Sequence, residues 1–203
     1  MIAAPIAVKL EMANLAAGLG MVQTVSPVID RRSFLCRAGA ASVALGAVGC
    51  AWARAPEVRS LSFVNVHTAE RLSTVYCRDG CYEPAALQQV NYLLRDFRTG
   101  DVHAIDPRLL DILFALRTLT DRDEPFEVVS GYRSPKTNAY LRRHTSGVAA
   151  HSLHMQGRAI DLRVSGFSTR RLRDLALGLR RGGVGFYPVS DFVHIDNGRV
   201  RHW

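Results

Sequence analysis

No run of about 20 apolar residues follows residue 53. A helical membrane-spanning body is therefore not expected, because a helix needs roughly that many to cross the hydrocarbon core. Cysteine is scarce. Of the four residues, Cys36 and Cys50 lie near the N-terminus, and only Cys77 and Cys81 lie in the body. With no second pair available to complete a tetrahedral site, the metal reading of the Cys-x3-Cys spacing is the weaker one. Internal repeats are missing, and so is the regular strand–helix alternation of a doubly wound parallel sheet. No recognisable nucleic-acid-binding motif accompanies the net charge of +8, so charge alone does not make this chain a nucleic-acid binder. The basic balance suits either an anionic partner or a solubilising arginine-rich surface.

What is present begins with an address. Asp30-Arg31-Arg32-Ser33-Phe34-Leu35 precedes an apolar stretch rich in alanine and glycine, Ala38 to Gly49, and Ala51-Trp52-Ala53 offers small residues where a signal peptidase reads. A charged front, a short apolar middle and an A-x-A end make a signal peptide. The paired arginines resemble a twin-arginine export signal. Residues 1–53 are expected to be this export segment, with translation starting at Met1 or later, for example at Met21. Lipoprotein anchoring at Cys50 is the weaker alternative. Residues 54–203 are expected to form one periplasmic domain. Export would place it in an oxidising compartment that permits disulfides. Cys77-Arg78-Asp79-Gly80-Cys81 reads as a tight hairpin around an Asp-Gly turn, with Cys77 and Cys81 as a cross-turn disulfide or two free thiols.

Residues 58–66 read as a strand, and residues 70–77 with Tyr82 as the arms of that hairpin. Pro84, Pro107 and Pro135 each open a helix, running to about Asp96, past Leu116 and to about Arg143. Residues 126–129, 158–164 and 192–196 read as short strands. Thr169 to Arg181 is a helix ended by Gly182-Gly183, and residues 144–157 are a loop. The expected class is α+β, a small, mostly antiparallel sheet flanked by helices.

The chemistry concentrates in two segments. In His151-Ser152-Leu153-His154-Met155-Gln156-Gly157-Arg158-Ala159-Ile160-Asp161, a histidine precedes a glycine turn and a carboxylate follows in an apolar strand. The pleat puts Ala159 and Asp161 on one face and Ile160 and Leu162 on the other. A carboxylate held there is costly without a cation. Zn2+ would satisfy it, with His154 returning over Gly157 to the same ion, and a salt bridge to Arg158 or Arg163 would also do so. In Asp191-Phe192-Val193-His194-Ile195-Asp196, His194 alternates with apolar neighbours and offers a third ligand. Two nitrogens and one carboxylate oxygen leave a fourth position for water, the catalytic zinc pattern. Hydrolysis also needs a base and a cation for the developing oxyanion. Asp191, in the turn after Pro188, and Asp196, on His194's own face, are alternative bases. Asp196 could instead support the His194 imidazole. Arg133, within Ser130-Gly131-Tyr132-Arg133-Ser134-Pro135, is a candidate oxyanion or carboxylate clamp or a partner in a turn salt bridge. His151 either orients substrate or is a solvated loop histidine. His67, His103 and His202 need no function.

Ser152-x-His154-x-x-Gly157-x-Ala159-x-Asp161, followed by Asp191-x-x-His194, resembles the zinc D-Ala-D-Ala carboxypeptidase and dipeptidase superfamily of bacterial cell-wall peptidases. Ser130 to Ser134 resembles its upstream arginine motif, and the likeness covers roughly residues 57–203. It implies one Zn2+ on His154, Asp161 and His194, Asp191 as general base, and Arg133 as catalytic clamp, with Ser134 and His151 beside it on the substrate. Members commonly carry Glu where this chain has Asp191. The murein endopeptidase branch, to which the motifs are most similar, implies a monomer that cleaves peptide cross-links of peptidoglycan, including those between two meso-diaminopimelate residues. A D-Ala-D-Ala carboxypeptidase and a non-catalytic peptidoglycan-binding module are the rival expectations.

Overall fold

The computed structural model describes residues 57–203 except residue 146. The export segment read in residues 1–53, with Cys50, lies outside the described residues. Strands β1 (Val58–Asn65), β2 (Arg71–Arg78) and β3 (Cys81–Tyr82) come first, followed by helices α1 (Pro84–Leu93) and α2 (Pro107–Thr120). Next are β4 (Phe126–Ser130), α3 (Pro135–His144), a 3-10 turn (Leu153–Gln156), β5 (Ala159–Val164), α4 (Thr169–Leu179), β6 (Gly183–Tyr187), β7 (Phe192–Asp196) and β8 (Arg201–His202). The first three helices open at proline, where a missing N–H costs nothing and φ is preset. Asp106, Ser134 and Ser168 cap α2, α3 and α4 through their side chains, each satisfying one orphan backbone donor.

The α+β class is as expected, but the sheet is not the small, mostly antiparallel one anticipated. It has eight strands in the order β3-β2-β1-β4-β5-β7-β6-β8 and is mixed. β1 runs parallel to β4, and β6 runs parallel to β8. The first parallel pair arises because the chain leaves β1 through β2, β3, α1 and α2 before returning to its side, a crossover long enough to restore direction. Strands β6 and β8 are additions to the expected set. Gly182-Gly183 does not end the helix, because α4 already stops at Arg180, in the left-handed region at φ 53°. Gly183 is the first residue of β6. Glycine occupies position 182 because a Cβ there would collide with the backbone carbonyl of Asp196.

Leu61, Phe63, Phe126, Val128, Ile160, Leu162, Val193 and Ile195 alternate along the central strands and bury against Leu109, Leu110, Leu113 and Leu116 of α2 and Leu172 of α4. Area removed from water at about 25 cal/mol per Å2 makes this layer the main stabilising term. Its functional consequence comes from the pleat. With Ile160, Leu162, Val193 and Ile195 turned to the helices, Asp161 and His194 must face the other side.

The Asp79-Gly80 hairpin forms as expected, with both residues at positive φ, 49° and 80°, the geometry of a type I′ turn. The disulfide does not form. Cys81 lies opposite Arg78, and Cys77 lies opposite Tyr82, so the two thiols are one residue out of register and the pleat sends them to different faces. Cys77 is buried in the core and Cys81 is exposed, both as free thiols. Alkylation of the folded protein is therefore expected to label Cys81 and spare Cys77, with Cys77 labelled only in denaturant. Peptide mapping by mass spectrometry checks this, and a Cys77–Cys81 cross-linked peptide would contradict it.

Candidate metal centre

Three elements bring the expected ligands together. β5 and β7 are antiparallel neighbours with Asp161 directly opposite His194, which places both side chains on one face. His154 arrives from the 3-10 turn. That turn ends at Gly157, whose φ of 63° is a left-handed conformation glycine adopts without penalty. A Cβ at Gly157 would also strike the Ala104 carbonyl. His154, Asp161 and His194 are all buried, at 2%, 6% and 7% exposure.

Each imidazole has an acceptor at its outer nitrogen. His154 Nδ1 donates to the Gly131 carbonyl at 2.7 Å, leaving Nε2 as a bare lone pair when the ring is neutral. His194 has a carboxylate at each nitrogen, Asp196 Oδ2 at 3.1 Å from Nε2 and Asp161 Oδ1 at 2.8 Å from Nδ1, and when the neutral ring carries its proton on Nε2, Nδ1 is bare. His154 Nε2 and His194 Nδ1 lie 3.1 Å apart. Both address Asp161 Oδ1, at 3.2 Å from His154 and 2.8 Å from His194. Three acceptors converging with no donor between them repel one another. A cation among them satisfies all three, and the donor atoms of a tetrahedral zinc site lie about 3.3 Å apart. The residues therefore fit Zn2+, and the His154–Asp161–His194 set is the one metal-capable group among the described residues.

Without a metal, a proton does part of this work. Burial pulls His194 down, but bonds from Asp161 and Asp196 outweigh it and leave the imidazole at about 8. Burial pushes Asp161 up, while the charge and hydrogen bonds of the two histidines hold it well below the usual carboxylate range. Asp196 is likewise depressed, its own burial opposed by bonds from His194 and Arg201.

The salt bridges open to Asp161 from Arg158 and Arg163 do not form. Arg158 turns to Asn197 and Gln156, and Arg163 pairs with Glu127. Arg133 is the cation beside Asp161, its Nη2 3.5 Å from Oδ2. A bulge between Val128 and Ser130 sets Ser130 opposite Asp161 and aims the following loop at the cluster. Burial lowers the Arg133 pKa, with Asp161 opposing, yet a guanidinium stays charged. Its Nε is buried without a hydrogen-bond partner among the described residues. A native buried donor left open in this way calls for an acceptor from outside the chain.

Ser134, expected at the substrate, lies inside the fold. It is 1% exposed, its hydroxyl donates to Asp96 at 2.7 Å, and its oxygen caps α3 by accepting from Thr137 N–H. Its hydroxyl is fully used inside the fold. Asp96, which sequence reasoning missed, is the anchor of the arginine loop, accepting from the Ser134 N–H and hydroxyl and from the Arg98 N–H. The Tyr132 N–H binds the Leu94 carbonyl, and the Arg133 N–H binds the His154 carbonyl. A Cβ at Gly131 would lie 2.5 Å from that Leu94 oxygen. No local signal marks Asp96, since its partner is 38 residues away.

The alternative bases part company. Asp196 is fully buried. Its Oδ1 accepts from the Gly183 and Gly198 N–H groups and Arg201, and its Oδ2 accepts from Arg201 and His194. Asp196 thus orients the imidazole and has no capacity left for a proton in transit. Asp191 does sit in the turn after Pro188, at φ 51°. Its Oδ1 accepts from the Thr169 hydroxyl at 2.8 Å, so the carboxylate turns to the start of α4 and is not among the converging donors. His151 is exposed in the turn before the 3-10 segment, and the structure does not bring its ring into the cluster.

The cluster makes the metal-free protein pH-sensitive. His194, raised from 6.5 to about 8, contributes fully below pH 6.5, and its contribution is lost as pH rises through 8. Asp161 and Asp196, held below 3.8, contribute above that value and fail only in stronger acid. Urea denaturation of chelator-treated protein is expected to show about 2 kcal/mol less stability near pH 9 than near pH 6. Saturating Zn2+ should oppose that loss, because ligation requires neutral imidazoles. A flat profile for the metal-free protein would remove the imidazolium from the cluster.

The sequence is similar to known proteins over most of its length. A family model described as peptidoglycan L,D-endopeptidase MepK (Peptidase_M15_2) matches residues 53–203. The probable peptidoglycan L,D-endopeptidase MepK of Haemophilus influenzae is 44% identical over 149 residues, 73% of this chain and 80% of that protein. The peptidoglycan L,D-endopeptidase MepK of Escherichia coli K12 is 39% identical over 179 residues, 86% of this chain and 97% of that protein. A buried two-histidine, one-carboxylate cluster beside an unsatisfied arginine, on a chain matched over this whole extent, makes the protein a hydrolytic peptidase that belongs to the MepK-type Peptidase_M15_2 family.

Proposed function

We propose that this chain is an exported Zn2+ endopeptidase that hydrolyses the peptide cross-links of peptidoglycan, including bonds between two meso-diaminopimelate residues. The observation that carries the reading is the buried convergence of His154 Nε2, His194 Nδ1 and Asp161 Oδ1 beside the open Nε of Arg133. The substrate class is supported by the relatives, which are named peptidoglycan L,D-endopeptidases. The twin-arginine-like segment supports a periplasmic location, and the enzyme is read as a monomer. Among the described residues no helix is long and apolar enough to cross a membrane.

Zn2+, when bound by His154, Asp161 and His194, supplies Lewis acidity for water and for the scissile carbonyl. The rest is done by the chain. Gly131 and Asp196 hold the outer N–H of each imidazole, so both rings present lone pairs inward without reorganisation. Arg133 places a fixed positive charge where the carbonyl oxygen gains negative charge, and its Nε–H is free to donate to that oxygen or to a substrate carboxylate. Asp191 takes the role of proton acceptor, since Asp196 has no free capacity. This requires its bond to Thr169 to open when substrate enters, in keeping with catalytic contacts that tighten only in the complex.

Metal analysis and turnover of cross-linked muropeptides test the site together. His154→Ala and His194→Ala are each expected to lose stoichiometric zinc and all measurable conversion of dimers to monomers, and zinc retained by both would sink the assignment. Release of a terminal D-Ala alone would instead favour the carboxypeptidase. Zinc and substrate binding by the parent chain without turnover would favour a binding module. Asp191→Asn is expected to keep its zinc and lose about 100-fold or more in kcat. Activity within about threefold of the parent would reassign Asp191 to holding the start of α4.

A further inference from the structure

Trp203 stands beside the metal cluster without belonging to it. Its ring centroid is 5.2 Å from that of His194. Its backbone is tied to β6, the N–H to the Val184 carbonyl at 3.3 Å and the carbonyl to the Phe186 N–H at 3.0 Å. The indole lies on Gly185, where a Cβ would come within 2.7 Å of the ring. Gly185 is the cross-strand partner of His194, so the indole covers the face of β6 that continues the metal site. Tyr187, two residues on, shares that face.

The indole Nε1–H donates to the Tyr187 hydroxyl at 2.9 Å, and the Tyr187 ring stacks on Phe192 at 4.6 Å. That bond occupies a lone pair of the phenol. The phenol's own hydrogen has no protein acceptor among the described residues. Trp203 is 49% exposed, an aromatic surface fixed at both backbone atoms and left partly open to water next to His194, with the Arg201 guanidinium carbon 5.0 Å from its ring centroid. Aromatic surface of this kind, paired with one placed hydroxyl, is the usual make-up of a ligand-binding wall.

We propose that Trp203 and Tyr187 form a substrate-binding wall of the metal cleft. The exposed indole face packs on the aliphatic stem of a peptide residue next to the scissile bond, and the Tyr187 hydroxyl donates to a carbonyl or carboxylate oxygen of the same peptide. The proposal rests on the peptidase reading above. A wall of this sort binds substrate and transition state alike, so it acts on KM and leaves kcat nearly untouched.

Two measurements on the full chain test it. Tyr187→Phe keeps the ring stack and removes the donor, and Trp203→Phe keeps an aromatic face and removes the Nε1–H. Each is expected to raise KM for a cross-linked muropeptide dimer by about five- to tenfold, with kcat within about threefold and zinc content unchanged. In the Trp52→Phe background Trp203 is the sole tryptophan. Titrating that chelator-treated protein with the dimer is then expected to give a saturable change in fluorescence. Turnover by the parent with KM unchanged in both variants would overturn the wall alone. No turnover by the parent would overturn the peptidase reading and the wall together. A lowered melting temperature without a KM change would mark the pair as a seal for the edge of β6 and also overturn the proposal.

Discussion

Three hydrogen-bond acceptors, buried and within about 3 Å of one another, cannot coexist without positive charge among them. Much of the surrounding structure reads as a consequence. The Gly131 carbonyl and Asp196 each hold the outer nitrogen of an imidazole, so the inner nitrogens are committed to the centre. Asp196 is itself clamped by Arg201 and two backbone N–H groups. A carboxylate thus buried beside a ligand keeps the ring oriented and basic. Arg133 brings further positive charge to the same pocket, opposite the second oxygen of Asp161.

The glycines near the site answer the same demand for closeness. Gly131 lets the arginine loop press against Leu94, and Gly157 lets the 3-10 turn fold back under Ala104. Gly185 admits the indole of Trp203 beside His194. A side chain at any of these positions would push an element away from the cluster, and displacement by even 1 Å is costly in a preorganised site. Buried Asp96 plays the matching polar part, since it holds the segment after α1 and the loop before α3 in one piece.

Local patterns made much of this legible. Pro84, Pro107 and Pro135 mark helix starts, Asp79-Gly80 marks a hairpin, and the alternation of Val193, His194 and Ile195 sets the face that His194 takes. Misreadings come where a residue's meaning lies in a distant partner. Gly182-Gly183 looks like a helix stop because the Asp196 carbonyl packed against it is 14 positions away in sequence. Ser134 looks like a substrate contact because its buried acceptor, Asp96, lies 38 residues away. Cys77 and Cys81 leave a disulfide and two free thiols equally open because spacing does not show that the hairpin pairs Cys77 with Tyr82.

By itself the sequence offered the candidate ligand set, because the periodicity of two short apolar strands indicates which side chains leave the core, and the likeness to the zinc peptidase superfamily joined His154 to Asp161 and His194. Tertiary structure alone decided the work of the remaining charges. Register made Asp161 face His194. A bulge, not spacing, brought Arg133 to Asp161 in preference to Arg158 or Arg163. Burial and five hydrogen bonds turned Asp196 from a possible base into a support. Such choices depend on which partner occupies the last lone pair, and that is a property of the packed molecule.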